Sequence, residues 1–280
     1  MGRSLSAATL LLTALAPATQ AQTLPTTSSP PVLLRLKFTP GQVLHYAGTL
    51  DITTVDPGGE PGSAGLTGMG TRTLMHQTVK AVRASDGAAT VEVGVDTMSM
   101  TVNGKPVPVP PALLAQSRTL GTMVILPDGK VLSFTRPAGQ DLMPALRGSD
   151  LGHANPLGSL GYFPDRAVKV GNTWESRIPS ASSAVQAVAR FTLTGVDTAG
   201  GRRIARIEFT TSGTTGAKFE GMKQVVTGEG RLRFDISAGA VVDQSSASSF
   251  TTAIALRGDP KPSVNRGGEN RTLTRVPAPR

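Results

Sequence analysis

The chain has 280 residues, a formal charge of +9, no cysteine and one tryptophan. The absence of cysteine excludes a disulfide framework, a thiol nucleophile, a Cys-ligated metal and a lipid anchor on an N-terminal Cys. The basic residues are not interleaved with aromatics, which argues against nucleic acid as a partner.

Met1-Gly-Arg3-Ser is a short basic start, Leu5 to Ala16 is apolar, and Thr19-Gln-Ala21 resembles a small-x-small cleavage site. Residues 1–21 therefore read as a signal peptide, and the protein as exported, periplasmic or extracellular, in a bacterium. Cleavage leaves 259 residues and a charge of +8. No second apolar stretch approaches membrane-spanning length, so the mature chain is expected to be soluble. Residues 22–32, rich in Pro, Thr and Ser, read as a flexible leader.

Leu34-Arg-Leu-Lys-Phe38 alternates with the period of a strand. Pro40-Gly41 turns into a second strand, Gln42 to Val55, and residues 56–62 form a loop. Leu74 to Arg83 and Ala89 to Met100 make a pair about Ser85-Asp-Gly87, with Val91, Val93 and Val95 facing one way and Glu92 the other. Val102-Asn-Gly-Lys105 is a hairpin signature, and Pro106 to Pro111 ends regular pairing. Ala112 to Ser117 and Gln140 to Arg147 suggest two short helices. Thr122 to Leu126 and Lys130 to Phe134 form a hairpin about Pro127-Asp-Gly129.

The stretch from Tyr162 to Glu175 reads as the hinge of a duplicated β protein. Gly171-Asn-Thr-Trp174 opens the second half as Gly41 to Tyr46 opens the first. Val185 to Thr194 and Arg203 to Thr211, joined at Asp197 to Gly201, mirror the pair around Gly87. Leu232 to Gln244 with Gly239 matches Met123 to Phe134 with Gly129, and Arg231, Arg233 and Asp235 alternate with Leu232, Phe234 and Ile236. The domain organisation is thus a first β half at 33–161, a second at 162–256, and a basic tail at 257–280. The tail carries six basic residues against Asp259 and Glu269, and is interrupted by Pro260, Pro262, Pro277 and Pro279, so it reads as disordered. The fold class is mainly β, two similar antiparallel meanders packed as a sandwich or curled sheet with one or two short helices.

Catalytic chemistry finds no motif. There is no Gly-x-Ser-x-Gly, and His45, His76 and His153 lie at no metal-ligand spacing. His45 and His76 fall on expected strands and read as solvent-facing. Gly213 to Lys218 lacks the spacing of a phosphate loop, and Asp56 with Glu60 is too small a set for calcium. No catalytic residue, metal or cofactor is therefore expected. Tyr162, Phe163 and Trp174 are the candidate ligand-binding residues, an aromatic platform whose alternative is a plug in the core.

The Phe163 to Trp174 segment, Leu36 to Gly41, and the run Gly228-Glu-Gly230, Phe234-Asp235, Gly239 resemble a family of uncharacterised exported bacterial β-rich proteins. That family has a mid-chain Val-x-Val-Gly-x-x-Trp segment. The resemblance implies a β-rich exported protein and no known activity. A more remote likeness, in architecture alone, is to curled-sheet carriers of lipoproteins. The expected role is non-covalent and non-enzymatic: an apolar ligand such as a lipid or acyl chain held on a concave sheet. The alternatives are a structural or interaction module of the envelope without a ligand and, last, a hydrolase with a site assembled from distant residues. An anionic lipid or envelope polymer is the partner that the charge favours.

Overall fold

The computed structural model describes residues 30–55, 66–137, 163–178, 185–215, 222–254 and 263–279. The expected signal segment, Tyr162, His153, the second expected helix and the 213–218 run beyond Thr215 lie outside them. The strands are β1 (Val43–Val55), β2 (Leu66–Val82), β3 (Ala89–Val102), β4 (Lys105–Val107), β5 (Gly121–Ile125) and β6 (Val131–Thr135), with helix α1 (Pro111–Ser117) before β5. They continue as β7 (Thr173–Ile178), β8 (Val185–Ala199), β9 (Arg202–Thr215), β10 (Met222–Asp235), β11 (Ala240–Ile254) and β12 (Ser263–Val276).

All of them form one 12-stranded sheet in the order β6-β5-β3-β2-β1-β12-β11-β10-β9-β8-β7, with β4 set against β3. Every ladder in it is antiparallel. The chain meanders outward from β1 to the β6 edge. It restarts at the opposite edge with β7 and meanders inward until β12 closes on β1. The turns follow the sequence signals: Asn103 and Gly104 take φ of 50° and 75°, the pair of positive values that an Asn-Gly hairpin requires.

Two expectations are corrected. The described part of the expected tail, residues 263–279, is not disordered. Residues 263–276 are β12, paired with β1 from His45–Val276 to Val55–Arg266 and with β11 from Asp243–Thr274 to Ile254–Ser263. The prolines at 260, 262, 277 and 279 flank this strand and none lies inside it, so no ladder donor is missing. The second correction concerns Leu34 to Phe38, which joins no ladder. This segment, with Val32 from the expected leader, straps the turns at one end of the sheet. Val32 bridges Val168, the Leu36 N–H donates to the Pro127 carbonyl at 2.7 Å, and the Lys37 N–H donates to Gly239 at 3.0 Å. The alternation serves the strap's inner side, since Leu34 and Leu36 are buried while Leu33 is half exposed.

Period-two alternation divides the sheet into two faces. The inner face, at the end where the β2–β3, β5–β6, β8–β9 and β10–β11 turns lie, is covered by the strap. Its core contains Val79, Val91, Val93, Met123, Leu193, Ile207, Leu232 and Phe234, packed with Leu34, Leu36, Phe163 and Val168. The outer face is polar, and its ion pairs run between neighbouring strands: Lys80–Glu92 at 2.9 Å, Arg190–Glu175 at 2.8 Å, and Arg233 with Asp243. Asp235 keeps the side of Arg231 and Arg233, opposite Ile204 of β9, yet it is fully buried where those two arginines are exposed, and its carboxylate accepts from Arg202 Nε and the Ala238 N–H.

One local arrangement occurs twice. The Gly41 N–H donates to Val79 and Val79 donates back to Gln42; the Gly171 N–H donates to Leu193 and Leu193 donates back to Asn172. In each case the amide side chain, Gln42 or Asn172, accepts from the backbone N–H three residues earlier. Gly41 and Gly171 adopt φ of 79° and 88°, conformations in which a Cβ is strained.

Candidate functional site

The inner face does not end with the core. Beyond the strap the strands continue toward the opposite end, and their inward residues change character. On β1, β2 and β3 these are Leu50, Ile52, Met69, Thr71, Thr73 and Met100, all half-buried. On β10 and β11 they are Val226, Ser246, Ser248 and Phe250, also half-buried, while the alternating neighbours Val225, Thr227, Ser245, Ala247 and Ser249 are exposed. The same sheet is thus sheltered on one side and wet on the other well past its packed core, the pattern of a sheet that curls inward. Glycine keeps this floor low. An added Cβ on Gly230 would lie 2.3 Å from the Phe209 ring, and on Gly267 2.3 Å from the Phe250 ring, so each phenylalanine lies flat over a cross-strand glycine.

An aromatic row bounds this region. Trp174, Phe191 and Phe209 stand opposite one another on β7, β8 and β9. Trp174 stacks on Phe191 at 5.3 Å and 11°, and Phe191 meets Phe209 at 5.8 Å. Phe163 is elsewhere in the core, edge-on to Phe234 at 4.7 Å. Of the three candidate residues, Phe163 and Trp174 are buried among other core rings, and no ring contact joins them.

Several inward polar groups are buried with no hydrogen-bond partner among the described residues. They are the Tyr46 hydroxyl, the Gln244 Oε1, the Arg271 Nε and the Trp174 Nε1. Tyr46 is 1% exposed and Gln244 5%. Burial pushes the Tyr46 phenol well above its ordinary pKa, with the Arg275 charge opposite it pulling weakly the other way. Arg271 donates through Nη2 to Glu269 at 2.8 Å. Polar side chains at these depths are ordinarily paired, which sets these four apart from the rest of the inner face.

The outer face brings together residues that sequence reasoning left apart. His45 and His76 are directly opposed on β1 and β2, ring centroids 6.4 Å apart. Both direct Nδ1 at Asp96, His76 at 2.8 Å and His45 at 3.5 Å. Asp96 is the extra residue of a bulge, since Leu74 pairs with Thr97 and Met75 with Val95. The Arg118 carbonyl passes so close over Gly94 that a Cβ there would lie 1.9 Å from it, and the chain leaving α1 thereby shields the cluster. The histidines are half-buried, not simply solvent-facing: His76 is hydrogen-bonded to Asp96, and His45 lies beside the same carboxylate without a hydrogen bond. Only the register and the bulge reveal this grouping, and neither is visible in residue spacing. Among the described residues no three His, Asp or Glu side chains converge on a metal position.

No family model matches the chain, so the resemblance built on Val168 to Trp174 rests on its short motifs alone. No curated protein matches either. Among solved structures, the fold is similar to part of lipovitellin, in a structure concerned with lipid–protein interactions. The TM-score is 0.52 at 11% identity, over 87% of this chain and 26% of that one. The chain therefore spans about a quarter of the lipovitellin chain, and at that identity the likeness is one of fold. DynF, from the dynemicin pathway of Micromonospora chersina, matches over 91% of this chain and 90% of its own, at 9% identity and a TM-score of 0.22. An outer membrane channel of Pseudomonas putida F1 matches over 86% and 97%, at 8% identity and a TM-score of 0.21. The architecture itself is a single antiparallel β-sheet with one short helix among the described residues, and it shares a lipovitellin-like fold.

Proposed function

We propose that the protein is an exported, non-enzymatic binder that holds an apolar ligand, a lipid or acyl chain, against the inner face of its sheet. The observation that carries this reading is the continuation of the sheltered face past the packed core. Leu50, Ile52, Met69, Met100, Val226 and Phe250 line it, and none of them belongs to the packed cluster. Apolar surface of this kind contributes about 25 cal/mol per Å² when a ligand removes it from water. The lipovitellin likeness supports the same class of cargo, since that structure concerns lipid contacts.

The outer face argues against a membrane barrel. It carries Glu175, Arg190, Arg206, Glu208, Glu229, Arg231 and Arg233, all exposed. A basic residue facing lipid near the midplane costs about 2–4 kcal/mol. The edges β6 and β7 are also unpaired with each other among the described residues.

We read the runs β1–β6 and β7–β11 as two copies of one unit, laid side by side and joined through β12. The repeated glycine and amide turn at Gly41–Gln42 and Gly171–Asn172 supports this.

Native mass spectrometry of the protein purified without detergent tests the function. Adducts of lipid mass that dissociate on activation are the expected result. A bare polypeptide that also takes up no added acyl chain would refute it and leave an interaction module in its place.

A further inference from the structure

The inner face of β12 is the part of the wall that carries charge. Its inward positions run Arg275, Leu273, Arg271, Glu269 and Gly267, opposite Tyr46, Gly48, Leu50, Ile52 and Thr54 of β1. Two guanidinium groups therefore project into the concavity against one carboxylate. Glu269 accepts from Arg271 Nη2, which leaves the buried Nε–H of Arg271 without an acceptor. Gln244 lies on the adjoining strand one inward position away: Leu273 pairs with Gln244, and Arg271 with Ser246. Such diagonal neighbours are about 7–8 Å apart at the backbone, within reach of long side chains. The Gln244 amide is buried and its Oε1 is unpartnered.

We infer that the ligand is an amphiphile with an anionic head, a carboxylate or phosphate, received by Arg271 and Gln244 while its chain lies over Ile52, Met69, Val226 and Phe250. This rests on the binding role proposed above and adds the chemistry of the ligand.

The charge balance selects the sign. A cationic head would meet two arginines and a glutamate that is already engaged. A neutral, wholly apolar ligand would leave the Arg271 Nε–H and the Gln244 amide as unpaired as they are without it, and so would gain nothing from either. An anion accepts from Nε, and the amide of Gln244 can turn its N–H groups to the same oxygen atoms. Arg275 lies further toward the strap, opposite Tyr46, and keeps the potential at the inner end positive. From Arg271 outward the floor is Ser246, Ser248, Gly228 and Gly230, low enough for a chain to lie along it. The chain then passes between the methionine and isoleucine side of β1–β2 and the Val226–Phe250 side of β10–β11.

The test compares palmitate with hexadecanol, which share a chain and differ in the charged head, by calorimetric titration of the mature full-length protein. Palmitate should bind at least about tenfold more tightly, as a hydrogen bond to a charged group is worth about 1.5–3 kcal/mol. Arg271→Gln should erase that ratio, Arg271→Lys should keep part of it, and Gln244→Glu should invert it by placing a second anion at the head. Circular dichroism of each variant checks the fold. A measurement on the wild-type protein stands in should Arg271→Gln fail to fold: the Arg271 Nε–H resonance should shift with palmitate and stay in place with hexadecanol. Hexadecyl phosphate, set against palmitate, separates a phosphate head from a carboxylate on the same chain. Equal binding of palmitate and hexadecanol, with the Nε–H signal unmoved by either, would overturn the inference while the apolar-ligand reading stands. Failure of every probe to bind would overturn both.

Discussion

Trp174→Ala tests whether the short edge strand β7 is fixed by its aromatic row. Trp174 is 9% exposed and stacks on Phe191, which in turn meets Phe209. Replacing a buried aromatic by alanine costs about 3–5 kcal/mol. The lower end applies here, because β7 has only β8 as a neighbour and can settle inward over the gap. A loss of about 3 kcal/mol shifts the midpoint of thermal unfolding by roughly 6–12 °C in a chain of this size. Trp174→Phe isolates the two parts of that loss. It keeps a ring on Phe191, gives up some area, and deletes an indole N–H that has no acceptor. The last change recovers about 1–3 kcal/mol, so this variant should lie within about 1 kcal/mol of wild type. Val188→Ala, at an outward position of β8 that is 36% exposed, is the control and should change stability by less than about 0.5 kcal/mol. Urea unfolding followed by far-ultraviolet circular dichroism reads all three, with an unchanged slope as the condition for comparing midpoints. Trp174→Ala as benign as Val188→Ala would refute the burial argument and detach β7 from the core.

Truncation before Ser263 should abolish cooperative unfolding, because β1 and β11 both lose their ladder partner; a melting curve like that of the full chain would show that β12 is dispensable. Two carboxyls have folded pKa values below the ordinary range. Asp86 lies at about 2 through Arg83 and the Ala88 N–H, and Asp235, against the opposing effect of burial, is held down by the Ala238 N–H and Arg202. Their stabilisation is fully present above the unfolded carboxyl pKa of about 3.9 and is lost as pH falls through the lower folded values. Asp235→Asn should therefore flatten the acid limb of the stability curve and cost about 1–3 kcal/mol at neutral pH; an unchanged acid limb, measured by urea midpoints from pH 7 downward, counts against the buried pair. Gly230→Ala should cost about 1–3 kcal/mol by driving a methyl into the Phe209 ring and the Ser245 carbonyl, 2.4 Å away, and thermal unfolding equal to wild type would mean that the ring is free to move.

Much of the fold was readable because most strands carry their own signature. Val91, Val93 and Val95 alternate with polar neighbours and are all buried, and Asn103-Gly104 turns where its backbone preference places it. Local chemistry sufficed wherever a strand's inner face was apolar. It failed for β12, whose inward residues are arginine, leucine, glutamate and glycine, because that strand is held by two neighbouring backbones and not by its own burial. It failed in the opposite sense for Leu34 to Phe38, where alternation reflects a strap with one buried side. The candidate site was less legible still. The grouping of Arg271 with Gln244 depends on β11 and β12 being neighbours, and that of His45, His76 and Asp96 on a bulge. Tryptophan and phenylalanine drew attention in the sequence because they are rare, yet Trp174 and Phe163 form part of the core.

The failure at β12 and the proposed site have one physical origin. A strand in the middle of a sheet ordinarily contributes apolar residues to the face that packs, since a charged group there must be paired or desolvated at a cost. β12 contributes Leu273 at the strapped end and then Arg271 and Glu269, within a wall whose neighbours on β1 are Leu50 and Ile52. Had the inner face existed only to be filled by the chain, leucine at 271 would have served it better. An arginine with one nitrogen paired to its own strand and another left unpaired is a poor core residue and a good receptor for a small anion. Departures from local rules cluster where a protein meets something other than itself. The strand that looked least like part of the fold is thus the one that brings charge to the inner face.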